Sequence, residues 1–223
     1  MRALKVTTAV MMLLSWPAQS EPVTCEGSNL SVNAATAWDA RLVCEAAAGA
    51  VALFASCGVP EITRPLRIDL IDDLKAHCFG RYHCGEDWIE IVTPSGIAEQ
   101  RLPDSIYSFL PIDTYFQSIV VHELTHAAIE DAPCPFDSCL VANEYLAYVM
   151  QILSLSPSQQ GRFGEQDDPG RRISRDELNP AIYFMAPDVF ARKVWLHFTQ
   201  RDDPCGFVGQ IVDGTVLLDY ERF

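Results

Sequence analysis

Residues 122–126 read His-Glu-Leu-Thr-His, and these five positions share chemistry only on a helix. There His122 and His126 stand one turn apart on one face, close enough for both imidazoles to hold one metal ion. Glu123 lies beside them, placed to take a proton from a water on that metal. The chain must therefore bury one side of this helix and turn the histidines towards a cleft or interior wall. With five histidines in 223 residues, chance would produce the pattern in on the order of one such chain in a hundred. The flanks support a helix. Pro111 and Asp113 open it with Asp113 as the expected N-cap, and Thr114 to Ile129 contains no Gly or Pro. Phe116, Ile119, Val120, Leu124 and Ala127 supply its apolar stripe, and Asp131-Ala132-Pro133-Cys134-Pro135 ends it. Glu130 and Asp131, near that end, read as surface residues.

The remaining pattern is that of an α+β chain. Ala34 to Ser56 is rich in Ala, Leu and Val at helical spacing and stops at Gly58-Val59-Pro60. Leu66–Ile71 alternates apolar and polar residues, as a strand does. A second strand runs from Asp87 to Thr93, ended by Pro94-Ser95-Gly96. Between them Cys78–Gly85 is turn-rich, and His77 and His83 read as loop-surface residues. A helix is expected from Leu140 to Leu155, a mobile loop over Gln159–Arg172, and an amphipathic helix over Pro187–Thr199. Val212 to Leu218 is expected as a hairpin around Asp213-Gly214.

The first twenty residues read as a signal peptide: Arg2 and Lys5, an apolar run from Val6 to Trp16 too short to span a bilayer, then Ala18-Gln19-Ser20. The mature chain then starts near Glu21 in the periplasm or outside the cell, with no integral membrane association after cleavage. All eight cysteines follow that point, which suits disulfides in an oxidising compartment. Two pairs look local, Cys78 with Cys84 and Cys134 with Cys139. Cys44 and Cys57 share a helix on which thirteen residues of rise separate them by about 20 Å, so each must bond to Cys25 or Cys205 or stay free. Removing Arg2 and Lys5 takes the formal charge from −14 to −16, a surface that disfavours nucleic acid as a partner.

Catalytic zinc needs a third protein ligand and an open position. A third histidine near position 132 is excluded by Ala132, and no Gly-Thr-x-Asp setting exists. Glu144 remains, on the next helix in Ala142-Asn143-Glu144-Tyr145-Leu146-Ala147-Tyr148, eighteen residues after His126. His-Glu-Leu-Thr-His-Ala followed by a helix-borne Glu resembles the gluzincin metallopeptidases, the group of thermolysin and the M1-type aminopeptidases. The specific match covers roughly residues 113–152.

The resemblance implies one zinc ion per chain held by His122, His126 and Glu144, with Glu123 as general base. It implies a zincin-like core with a small, mostly antiparallel sheet, a helical C-terminal lobe and two lobes around the active-site helix 113–130, within one domain spanning 21–223. It also implies a peptide or protein substrate, received by strand addition along Trp88–Val92 as the cleft edge. Tyr183, His197 and Tyr148 are the candidates for a donor to the tetrahedral intermediate, with core packing the alternative reading of each. Tyr148 stands where thermolysin-type sites carry an Asp that orients a histidine, so the orienting partner is open. The rival to an exported zinc metallopeptidase is a catalytically silent zinc-binding protein that keeps the fold for interaction.

Overall fold

The computed structural model describes residues 21–74, 78–165 and 170–220; the signal-peptide reading of residues 1–20 and the surface reading of His77 lie outside them. Strands β1 (Val23–Thr24), β2 (Leu30–Asn33), β3 (Leu66–Ile71), β4 (Gly80–His83) and β5 (Trp88–Val92) form one sheet in the order β1-β2-β3-β5-β4. β2 pairs parallel with β3 and β3 parallel with β5, while β1 and β4 are antiparallel edges. The sheet is therefore mixed, not mostly antiparallel. The reason is connectivity. Helix α1 (Ala37–Cys57) carries the chain from β2 across to β3, and parallel neighbours require such a crossover. β1 and β2 went unread because strands of two and four residues are too short to show a period.

β4 occupies the stretch expected to be only turns, and it displaces β5 from the edge. Trp88–Val92 is an interior strand between β3 and β4, so the free edge on this side of the sheet belongs to Gly80–His83. The same extended segment explains why Cys78 and Cys84 are unpaired thiols rather than a local disulfide. A strand rises about 3.4 Å per residue, so β4 holds its flanking cysteines well beyond the roughly 7 Å that a bridge can span.

Three disulfides do form. Cys134–Cys139 closes the turn after the motif helix, and Cys25–Cys44 and Cys57–Cys205 use the two cysteines of α1 separately. Three bridges place the chain in an oxidising environment. α1 itself is capped by Thr36, whose hydroxyl accepts from Asp39 N, and ends at Gly58 with φ 73°, a left-handed residue as the Gly58-Val59-Pro60 stop requires. Among the described residues it alone is long and apolar enough to cross a bilayer. Here its Val43, Ala47, Ala50 and Phe54 are buried in the core.

The motif helix is α3 (Ile112–Ala128). It begins one residue before Asp113, which falls in the first turn and complements the helix dipole instead of capping it. α3 packs between α1 and α4 (Leu140–Leu153) and also touches β4 and β5, so it is buried on most of its circumference. Pro94 does more than end β5: with Thr93 as cap it opens α2 (Pro94–Gln100). The expected loop at Gln159 starts inside a short helix, α5 (Pro157–Gly161), and Phe163 beyond it is buried against Tyr107 and Phe109. A 3-10 turn at Arg175–Glu177 precedes α6 (Pro180–Met185), α7 (Pro187–Thr199) and α8 (Pro204–Val212). The expected hairpin after Val212 is absent from the described residues: Asp213-Gly214 terminates α8, which Asp203 and Pro204 start.

The tail past α8 returns to the ligand-bearing helix. α4 has no side-chain cap of its own at Cys139, and both carboxylate oxygens of Asp219 accept from Val141 N and Ala142 N at 2.9 Å. Arg175 in turn binds the Leu218 and Asp219 carbonyls. Removing that cap by Asp219→Ala should cost about 1–2 kcal/mol of stability. A lower urea midpoint with unchanged slope, partly recovered in Asp219→Asn, is the expected result.

Candidate metal centre

Side chains from α3 and α4 converge on one point. His122 Nε2 and His126 Nε2 are 3.2 Å apart, and each lies 3.6 Å from a different oxygen of Glu144: Oε2 for His122, Oε1 for His126. The three form a cluster able to hold a metal ion. With one donor atom taken from each residue, all three lie within 4.8 Å of one another, near the roughly 3.3–3.4 Å that separates donors about 2.0–2.1 Å from a tetrahedral ion. Its side chains are only 12%, 17% and 11% exposed.

The tautomer of His122 is fixed by a residue that was not singled out from the sequence. Gln151 Oε1 accepts from His122 Nδ1 at 3.0 Å, which leaves the Nε2 lone pair facing the cluster. Gln151 is itself held, its amide donating to Ser118 Oγ at 3.3 Å and Tyr107 Oη donating to its carbonyl at 3.4 Å. It is 3% exposed. Its signal was there: Gln151 is the polar residue in an apolar run, seven positions and thus two turns past Glu144 on the same stripe. It supplies the orienting contact that Tyr148 does not. Tyr148 packs its ring edge-on against His122 with centroids 4.7 Å apart, and burial drives its hydroxyl pKa well above the usual range.

Electrostatics follow from enclosure. Burial lowers His126 to about 4, helped by His122 and opposed by Glu144. Burial also pulls His122 down, but its contact with Glu144 and the charges of Glu123 and Glu144 raise it overall. Glu144 is the mirror case: burial disfavours its charge, while His122, His126 and Tyr183 hold it below the ordinary carboxylate range.

Glu123 is 5% exposed, and burial raises its pKa to about 7. It lies directly under β4. A Cβ on Gly80 would sit 2.5 Å from Glu123 Oε1 and 2.6 Å from Cγ. Only a glycine lets the edge strand come this close, so Gly80 is a second site residue missed from the sequence, where one glycine in a turn-like stretch carries no such signal.

β4 is held down from its other end. Arg64 bonds Asp87 in the β4–β5 turn, Tyr82 on β4, and both the Ala127 carbonyl and Glu130 at the end of α3. Glu130 also accepts from Gly85 N. Glu130, expected as a surface residue, is thus a bracket between hairpin and motif helix.

Of the three donor candidates, Tyr183 reaches the cluster: its hydroxyl donates to Glu144 Oε1 at 3.0 Å from α6. His197 does not. Its ring nitrogens face Tyr145 and Arg201, and burial with the nearby Arg201 lowers its pKa to about 4. It is a neutral packing residue between α4, α7 and α8.

An α+β fold with a buried His-His-Glu cluster, and a glutamate beside it under a sheet edge, is the class of site that this chain presents. The chain belongs to a family of unknown function, DUF6639, which it matches over residues 30–221, from the first residue of β2 into the tail. No match to the chain was found among curated proteins or among solved structures.

Metal titration checks the centre. One equivalent is expected to bind. It should be lost in His122→Ala, His126→Ala or Glu144→Ala, and affinity should fall about 10–100-fold in Gln151→Leu with the fold retained. Binding should weaken with acidification, because protons compete for the two imidazoles.

Proposed function

We propose that this chain is an exported zinc-dependent metallopeptidase of the gluzincin type. The observation that carries the reading is the triangle of His122, His126 and Glu144 with a spare, buried carboxylate, Glu123, on the same helix. A purely structural site has no use for that fourth group. The donor set suits zinc: two imidazole nitrogens and one carboxylate, gathered within 4.8 Å of one another.

When bound there, zinc would act as a Lewis acid that polarises a peptide carbonyl and makes a water more acidic. The chain supplies the rest. Glu123 takes a proton from the attacking water and returns it to the leaving amine nitrogen, a role open to a buried carboxylate one position from His122. Tyr183 Oη, adjacent to Glu144 Oε1, is the candidate donor to the oxygen that becomes negatively charged. β4 is a sheet edge that touches the base through Gly80, so an extended peptide laid along it would bring its backbone to Glu123. Strand addition is thereby moved from the expected Trp88–Val92 to Gly80–His83.

One observation favours the rival reading, a catalytically silent metal-binding protein: Glu123 is almost fully covered in this structure. The variant Glu123→Gln separates the two. With metal still bound, peptide turnover should fall by about 10²–10⁴-fold; equal turnover in the two proteins would rule out the mechanism, and an inactive wild-type chain carrying one zinc would favour the silent reading. Gly80→Ala tests the close approach independently. The added methyl must displace either β4 or Glu123, so metal content should hold while kcat/KM drops at least about tenfold.

A further inference from the structure

The edge strand carries an exposed cation, Arg81, that makes no salt bridge among the described residues. Side chains alternate along β4, so Gly80 and Tyr82 face α3 while Arg81 points to the opposite face and is exposed. Its cross-strand partner by register is Glu90, but Glu90 is bonded to His83 Nε2 at 2.8 Å. Asp69, the next carboxylate on that face, is held by Asn33, Trp88 Nε1 and Arg67. In a chain with 30 acidic residues against 16 basic ones, no carboxylate among the described residues lies within ion-pair distance of Arg81. Its long side chain nonetheless carries its charge within electrostatic reach of the Cys78 thiol and of Glu123 itself.

Resting on the peptidase reading, we infer that Arg81 is a specificity residue that binds a carboxylate of the substrate. The planar guanidinium fork matches a carboxylate in bidentate fashion. Arg81 follows immediately after Gly80, the residue in contact with Glu123. A peptide added to β4 would therefore place its carboxylate about one or two residues from the bond being cut. That group is either an Asp or Glu side chain or a free C-terminus. The first makes the enzyme an endopeptidase selective for acidic segments, and the second makes it a trimmer of chain ends.

Binding and cleavage of matched hexapeptide pools test this. Two amidated pools differ only in Glu against Gln at one position, and a third is the Gln pool with a free C-terminus. Binding is measured by calorimetry on the zinc-loaded Glu123→Gln chain, and cleavage on the wild type. The Glu pool or the free-acid pool should bind about tenfold tighter than the neutral pool. Whichever does so identifies the source of the carboxylate. Adding Arg81→Gln should bring that ratio to about one, Arg81→Lys should keep part of it, and raised salt should reduce it.

Equal binding of all pools, binding of none, or a ratio that survives Arg81→Gln would overturn the assignment. The two readings fail separately. An Arg81-dependent binding ratio without any cleavage sinks the peptidase reading and leaves the anchor. Cleavage without a ratio sinks the anchor alone.

Discussion

Two imidazole nitrogens 3.2 Å apart, with a carboxylate 3.6 Å from each, are costly to gather out of water, and the rest of this fold is arranged around holding them there. The two histidines come from one helix and the carboxylate from its neighbour, so the cluster exists only while α3 and α4 stay in register. Register is enforced by apolar packing of α3 between α1 and α4, with Phe116, Val120 and Leu124 on one side and Tyr145, Leu146, Val149 and Met150 on the other, all at most 2% exposed. Bonds of longer reach add to it. Gln151 ties α4 back to α3 through His122 and Ser118, and Asp219 anchors the start of α4 from the far end of the chain. The gathered donor atoms are of the kind that could hold a metal ion.

The sheet has a narrower task, presenting one edge to that centre. β4 approaches Glu123 closely enough that a methyl on Gly80 has no room, and Arg64 fixes this approach by bridging the hairpin to the end of α3. Arg64 is under a third exposed, as is Glu130, so their contact is less screened than a surface ion pair. Glu123, the edge strand and the His-His-Glu cluster are therefore tied to one another by close packing and hydrogen bonds.

What could be read without a structure was whatever rests on local periodicity. The helices of His122 and Glu144 announce themselves by apolar spacing and by Gly and Pro punctuation, and the three clustered residues follow from two short motifs. The same logic was sound for Cys44 and Cys57, whose distance along a helix forbids a bond between them. It failed where the determinant was non-local. β4 has four residues and no alternation worth the name, so it passed for a turn, and with it went the true sheet edge, the reason Cys78 and Cys84 stay apart, and the meaning of Gly80. His197 was a donor candidate with core packing as the alternative; its neighbours, Tyr145 and Arg201, show that it is buried for packing.

By itself, then, the sequence determined the α+β class, the motif helix, the ligand-bearing helix and the identities of His122, Glu123, His126 and Glu144, because each depends on residues within a few turns of one another. Tertiary structure alone decided the parallel crossover, the partner that orients His122, the strand that covers Glu123, the Tyr183 contact and the placement of Arg81 near Glu123. Each of these joins positions tens of residues apart, and such pairings are set by how elements pack, which no local spacing records.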